Sequence, residues 1–212
     1  MGIVLDALLF LGYESLSGFI SFLLVLLVIR KIQKRKGVPI SSYHYFSLLV
    51  FSLYVIGVFY FTDAGTIYDG MMYKLELPQN QVNLIPFSRD MDIIGYLLNI
   101  ALFIPLGLLS PIIWKKLNNV THIIGAGLFF TVLIETSQLL NNRVTDIDDI
   151  ILNLLGAVIG FGLFKLWSNH ITSKFRIESH VSYELPICII AIFAGRFFLY
   201  NEMGLARHLY AF

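Results

Sequence analysis

Cysteine is nearly absent from this chain of 212 residues: Cys188 stands alone, so no intrachain disulfide can form. Its position inside an apolar run marks it as a small core residue. Charge is scarce too, at 14% Asp, Glu, Lys and Arg, against about 25% in a soluble domain. The five histidines, His44, His122, His170, His180 and His208, fall at loop ends without metal-ligand spacing, so a zinc site is not expected. The chain lacks a glycine-rich phosphate loop, a Ser–His–Asp spacing and any nucleic-acid signature. It also lacks an internal repeat or low-complexity tract. The N-terminal MGIVLDALL has no basic stretch before its apolar run, so a cleaved signal peptide is not expected, and Asp6 stands where myristoylation needs Ser or Thr.

Apolar residues fill the space that charge leaves. They make up 57% of the chain, and the mean hydropathy is +0.77. Six runs, at about 4–29, 43–62, 94–113, 120–140, 150–167 and 185–200, are long enough or nearly so to cross about 30 Å of hydrocarbon. The expected fold class is therefore all-α, a polytopic integral membrane helix bundle of about six transmembrane helices. Asp6, Glu14, Ser15 and Ser17 interrupt the first run, which reads either as one long tilted helix or as a short outer helix before a spanning one.

Charge placement sets the orientation. RKIQKRK (30–36) carries five positive charges and WKKLNN (114–119) two; with Lys165, Lys174 and Arg176 these make ten of the 15 Lys and Arg. With six spans all ten lie on one face, which the positive-inside rule makes cytoplasmic, with both termini outside. The inner half shows no polar set to match the outer one. The expected location is a bacterial plasma membrane, multi-pass, with the functional face extracellular.

The polar residues of the spans gather toward that outer face. They are Asn83 and Arg89 in NLIPFSRD (83–90), Asn99 in GYLLNIALFIPLG (95–107), Glu135, Gln138 and Arg143 in LIETSQLLNNR (133–143), and Asp146, Asp149 and Asn153 in TDIDDIILNLLG (145–156). Thr131, Glu135, Gln138 and Asn142 form one helical stripe; Asp146, Asp149 and Asn153 form another that continues through Gly156 and Gly160. Glu135 lies about 7 Å inside the outer end of its helix, a depth at which a carboxylate faces protein or a wet cavity rather than acyl chains. Gly156-x-x-x-Gly160 lets a neighbouring helix approach closely. Pro105 should kink its helix and release a carbonyl near midplane.

Each feature also has a structural reading. Asp146-x-x-Asp149 has the form of a capping box with Asp in place of Glu, and acids suit a helix start. Asp148 should point elsewhere, to solvent. Asn99 and Gln138 suit interhelical hydrogen bonds. Arg89 and Arg143 suit counter-charges to the aspartates, and Arg196 could neutralise Glu135 or Glu14.

In order along the chain, NLIPF, N-x3-FIPLG, ETSQ and R-x2-D-x-D-D-x3-N-x2-G resemble the VanZ-like family, bacterial membrane proteins named for one linked to teicoplanin resistance. The resemblance covers residues 83 to 162 and leaves out the first two helices and the last. It divides the chain into N-terminal helices and outer loop (1–82), a VanZ-like core (83–167) and a C-terminal loop and helix (168–212). It implies a cell-envelope membrane protein that lowers sensitivity to lipoglycopeptides, and implies no mechanism.

Three functions follow as expectations. The first is a polar outer-leaflet pocket that binds a lipid-linked cell-wall precursor, or a membrane lipid, and lowers sensitivity to teicoplanin-type lipoglycopeptides. Its partners would be membrane lipids, the precursor or the lipoglycopeptide itself, and no nucleic acid. Arg89 and Arg143 would hold a phosphate or carboxylate. Asn83, Asn99, Gln138 and Asn153 would supply amide contacts, while Glu135, Asp146 and Asp149 would accept from amines or hydroxyls. The second is a membrane enzyme acting on a lipid or precursor head group, with Glu135 as general base. No cofactor is expected beyond a weakly held divalent cation on Asp146 and Asp149. The third is a flippase or transporter, disfavoured by the apolar inner half.

Overall fold

A computed structural model describes residues 2–35, 37, 41–73, 81–88, 92–168 and 184–210. They form eight α-helices and one two-stranded ladder: α1 Gly2–Arg35, α2 Ser42–Thr62, α3 Ile67–Met72, β1 Val82–Asn83, α4 Ile93–Ile113, α5 Val120–Gln138, β2 Thr145–Asp146, α6 Ile147–Trp167, α7 Glu184–Leu199 and α8 Glu202–Tyr210. Six segments are long and apolar enough to cross a membrane: Val4–Arg35, Ser42–Met72, Ile93–Ile113, Val120–Gln138, Ile147–Trp167 and Glu184–Tyr210. The all-α bundle expected from composition is the architecture found.

The first run is one continuous helix. Its 34 residues extend about 50 Å at 1.5 Å per residue, well beyond the hydrocarbon thickness. Glu14 does not break it, because the carboxylate meets Arg196 of α7 at 2.6 Å and both side chains are buried. Of the two partners considered for Arg196, Glu14 is the actual one.

Helices α4 and α6 make the closest approach in the bundle. A Cβ at Gly156 or Gly160 would fall 2.1 or 2.0 Å from the carbonyl oxygen of Ile100 or Ile104, and one at Gly107 would fall 1.9 Å from that of Ala157. No side chain fits such gaps, so backbone packs on backbone. α4 runs through Pro105 and Pro111 as one helix. Pro105 has no N–H, so the carbonyl of Ala101 lacks its helical donor.

Aromatic rings fill the middle. Phe59 (α2), Phe103 (α4) and Phe130 (α5) are fully buried, with Phe130 centred 5.3 Å from Phe59 and 5.5 Å from Phe103. Below this layer, where α2 and α7 begin and α4 ends, lies a polar cluster that the sequence reading missed. Glu184 Oε2 lies 2.9 Å from His44 Nε2 and accepts from Trp114 Nε1 at 2.7 Å. All three residues are buried. The expectation of an inner half without a polar set is therefore corrected: His44 opens one apolar run and Glu184 stands just ahead of another, so neither looked buried until the helices met.

Candidate functional site

At the other end of the bundle, two short strands tie NLIPF to TDIDD. β1 pairs with β2 in parallel, Val82 opposite Thr145 and Asn83 opposite Asp146. Gln81 reinforces the join, its amide nitrogen donating to the carbonyls of Leu139 and Arg143 at 3.2 and 3.1 Å. Asn83 donates to both carboxylate oxygens of Asp146, at 3.3 and 3.1 Å.

Asp146 is the N-cap of α6, accepting from the backbone N–H of Asp148 at 3.0 Å. A capping box would return the side chain of Asp149 to the backbone N–H of Asp146. That half is supplied from another helix: Glu135 Oε2 takes the Asp146 N–H at 3.3 Å, and Thr145 Oγ1 donates to the Glu135 carbonyl at 3.0 Å. Asp149 turns instead to α4, where Asn99 Nδ2 donates to it.

Asp148 is buried, not solvated. One oxygen accepts from the backbone N–H of Phe87 at 2.8 Å, the other from the Tyr96 hydroxyl at 2.7 Å. One residue of helix rotates it about 100° from Asp149, toward the 84–88 loop and the start of α4. Phe87 sits in the left-handed region at φ 53°, costly for a bulky residue, and the Asp148 carboxylate is what receives its N–H there.

Beside this junction lies a cavity of about 390 Å³ among α2, α4, α5, α6 and the α5–α6 turn. Six of the nine singled-out residues line it: Asn99, Glu135, Gln138, Arg143, Asp149 and Asn153. Asn83 and Asp146 stand next to it in the strand junction. Arg89 lies outside the described residues. Asn142, the last of the α5 stripe, turns away in a left-handed conformation and is exposed.

Each side-chain amide nitrogen in the lining already donates to a protein oxygen. Gln138 Nε2 donates to the Thr62 carbonyl at 2.7 Å, and Asn153 Nδ2 reaches Thr131 Oγ1 at 2.9 Å. Arg143 lines the cavity with Asp149 and also reaches α2: its Nη1 donates to the Thr62 carbonyl at 2.9 Å and lies 3.7 Å from Asp63. Asp63 also approaches Arg196 Nη2 at 3.9 Å, so a chain of charges runs from Arg143 to the buried Glu14–Arg196 pair. Gln138 Oε1 and Asn153 Oδ1 are buried and meet no donor among the described residues.

The sequence reading missed the α2 side of the site. Phe61 and Thr62 line the cavity with Leu98, Ala101 and Leu102 of α4. Phe61 is 73% and Leu98 63% exposed, so this apolar wall lies on the outside of the bundle. Nothing in α2 alone marks its last turn; only the bonds from Gln138 and Arg143 to Thr62 bring it to the site. Among the described residues, no three His, Cys, Asp or Glu side chains are grouped to hold a metal ion.

Residues 46–168 match the VanZ/LLP1 family model, over half of the chain. The protein belongs to the VanZ/LLP1 family. The match begins inside α2 and so includes Thr62, which the motif series from 83 to 162 leaves out. No curated protein and no solved structure matches the chain.

Proposed function

We propose that this membrane protein of the VanZ type binds the head group of a lipid or lipid-linked cell-wall precursor in the cavity, at the outer leaflet of a bacterial plasma membrane. The reading extends to lowered sensitivity to teicoplanin-type lipoglycopeptides. The observation that carries it is the division of the cavity into two walls. Carboxylates and amides of α4, α5 and α6 line its interior, while Phe61 and Leu98 are exposed on the flanks of spanning helices. A ligand with a polar head and an apolar tail satisfies both walls. The outer orientation is supported by the ten basic residues that the sequence places at and beyond the opposite ends of the spans.

A second reading is a head-group-modifying enzyme. It is supported by Glu135, a carboxylate buried beside the cavity and held by the Asp146 N–H. There Glu135 would act as general base and Asp149 would orient the substrate.

One experiment separates these. Teicoplanin susceptibility is measured in cells carrying wild type, Glu135→Gln or Asp149→Asn at matched membrane levels, and lipids and lipid-linked precursors are weighed by mass spectrometry. The binding reading predicts lowered susceptibility with wild type, loss in both variants and every mass unchanged. A changed lipid or precursor mass that disappears with Glu135→Gln establishes the enzyme instead. Variants that behave like wild type make the acidic cluster structural.

A further inference from the structure

We propose that the cavity selects a compact lipid head group bearing a primary ammonium next to a phosphate; this rests on the lipid-binding reading above. The carboxyl groups of Glu135 and Asp149 face the cavity side by side, and a cation bound between them favours their ionised, accept-only form. Gln138 has a fixed orientation, because its nitrogen must face the Thr62 carbonyl, and this leaves its oxygen as a buried acceptor without a donor. Asn153 Oδ1 is in the same condition, and both side chains are more than nine-tenths buried. Ala101, also in the lining, carries the carbonyl that Pro105 cannot serve.

Against these acceptors, the amide nitrogens of Asn99, Gln138 and Asn153 each already give one N–H to a protein oxygen. Among the described residues, the guanidinium of Arg143 supplies the one positive charge in the lining, and half of it is exposed at the rim. Its Nη1 is bonded to Thr62; Nη2 and Nε make no hydrogen bond among the described residues. The complementary ligand therefore carries several N–H donors and a positive charge on the inside, and an anion at the rim.

An ammonium offers three donors to the acceptor wall, and a phosphate two atoms behind it meets the guanidinium in a bidentate geometry. A trimethylammonium has the same charge and no N–H, so it leaves the acceptors unpaired. A polyol head has donors but no charge for the carboxylates. The cavity of about 390 Å³ lies at the small end of ligand sites and suits an ethanolamine-sized head rather than a disaccharide-peptide. Phe61 and Leu98 leave the tail outside, among other acyl chains.

The test uses the full-length protein in detergent, mixed with equimolar phosphatidylethanolamine, phosphatidylcholine and phosphatidylglycerol of identical chains, and read by native mass spectrometry. The expected result is retention of the ethanolamine lipid over the choline lipid by about tenfold, the scale of a lost set of charge-assisted hydrogen bonds. With Asp149→Asn, which keeps the shape, that preference should fall to roughly twofold or less. Equal retention of all three lipids by wild type overturns the ammonium proposal and leaves lipid binding standing. If no lipid is retained, the lipid-binding reading fails with it. Two competitors identify the source: displacement by soluble glycerophosphoethanolamine at equal concentration overturns a lipid ligand, and preferential displacement by a lipid-linked muropeptide precursor overturns a compact one. If Asp149→Asn does not fold, the wild-type ethanolamine-to-choline ratio alone decides.

Discussion

Glu135 has two duties that are hard to separate by inspection. It completes the cap of α6 by taking the Asp146 N–H, and it presents a carboxylate to the cavity. Replacement by Gln keeps an oxygen for the first duty and removes the charge needed for the second. The cap itself is tested at Asp146: Asp146→Ala frees the Asp148 N–H and the Asn83 amide, and should lower stability by about 1–2 kcal/mol, read as a lower midpoint of thermal unfolding in detergent. Arg196 gives a sharper case. Glu14→Leu leaves its guanidinium buried with Asp63, at 3.9 Å, as the nearest counter-charge among the described residues, a loss of about 3–5 kcal/mol. The double change Glu14→Leu with Arg196→Met should recover most of that, since a well-packed apolar pair tolerates burial without partners. A double variant no more stable than the single one would mean that the pair does more than neutralise itself.

At the scale of the elements, α4 and α6 form the scaffold on which Asn99 and Asp149 meet. Gly156→Ala and Gly160→Ala each drive a methyl into a carbonyl about 2 Å away, and should cost on the order of 1–3 kcal/mol or more, because neither backbone can retreat without moving its helix. Gly162→Ala on the same helix meets open space and should be neutral or stabilising by up to about 1 kcal/mol. Thermal unfolding of the three variants side by side checks both signs. This geometry was legible in the sequence, because helical spacing alone put Asp149, Asn153, Gly156 and Gly160 on one face. So were the polar lining residues of α4, α5 and α6, since charged and amide side chains stand out in apolar runs. The role of Asp148 was not legible: it depends on Phe87 taking a left-handed conformation in a loop 61 residues earlier. Thr62 was invisible for another reason. It contributes a backbone carbonyl, and any residue type would supply one.

At the scale of the whole molecule, the bundle has a polar cluster at each end and an aromatic layer between them. Phe59, Phe103 and Phe130 close the path between the clusters, and Gly107 is sealed against the Ala157 carbonyl. This arrangement favours a ligand that enters and leaves on one side over one that crosses. The sidedness is checked by labelling. With Cys188 replaced by Ser, a membrane-impermeant maleimide should modify Ile85→Cys in intact cells and should reach Lys116→Cys only after the cells are opened; both positions are exposed. The reverse pattern would turn the cavity toward the cytoplasm and remove the extracellular reading.

The most direct measurement is photo-crosslinking from the apolar wall of the cavity. A photoreactive amino acid at Leu98 is activated in living cells, and the lipid adducts are identified by mass spectrometry beside those from Ile190, an exposed position on α7. If the cavity holds a lipid head group, adducts at Leu98 should be dominated by one head-group class, and Asp149→Asn should reduce that class roughly tenfold, while adducts at Ile190 follow bulk membrane composition in both backgrounds. Leu98 adducts that mirror the bulk membrane and ignore Asp149→Asn would contradict the account.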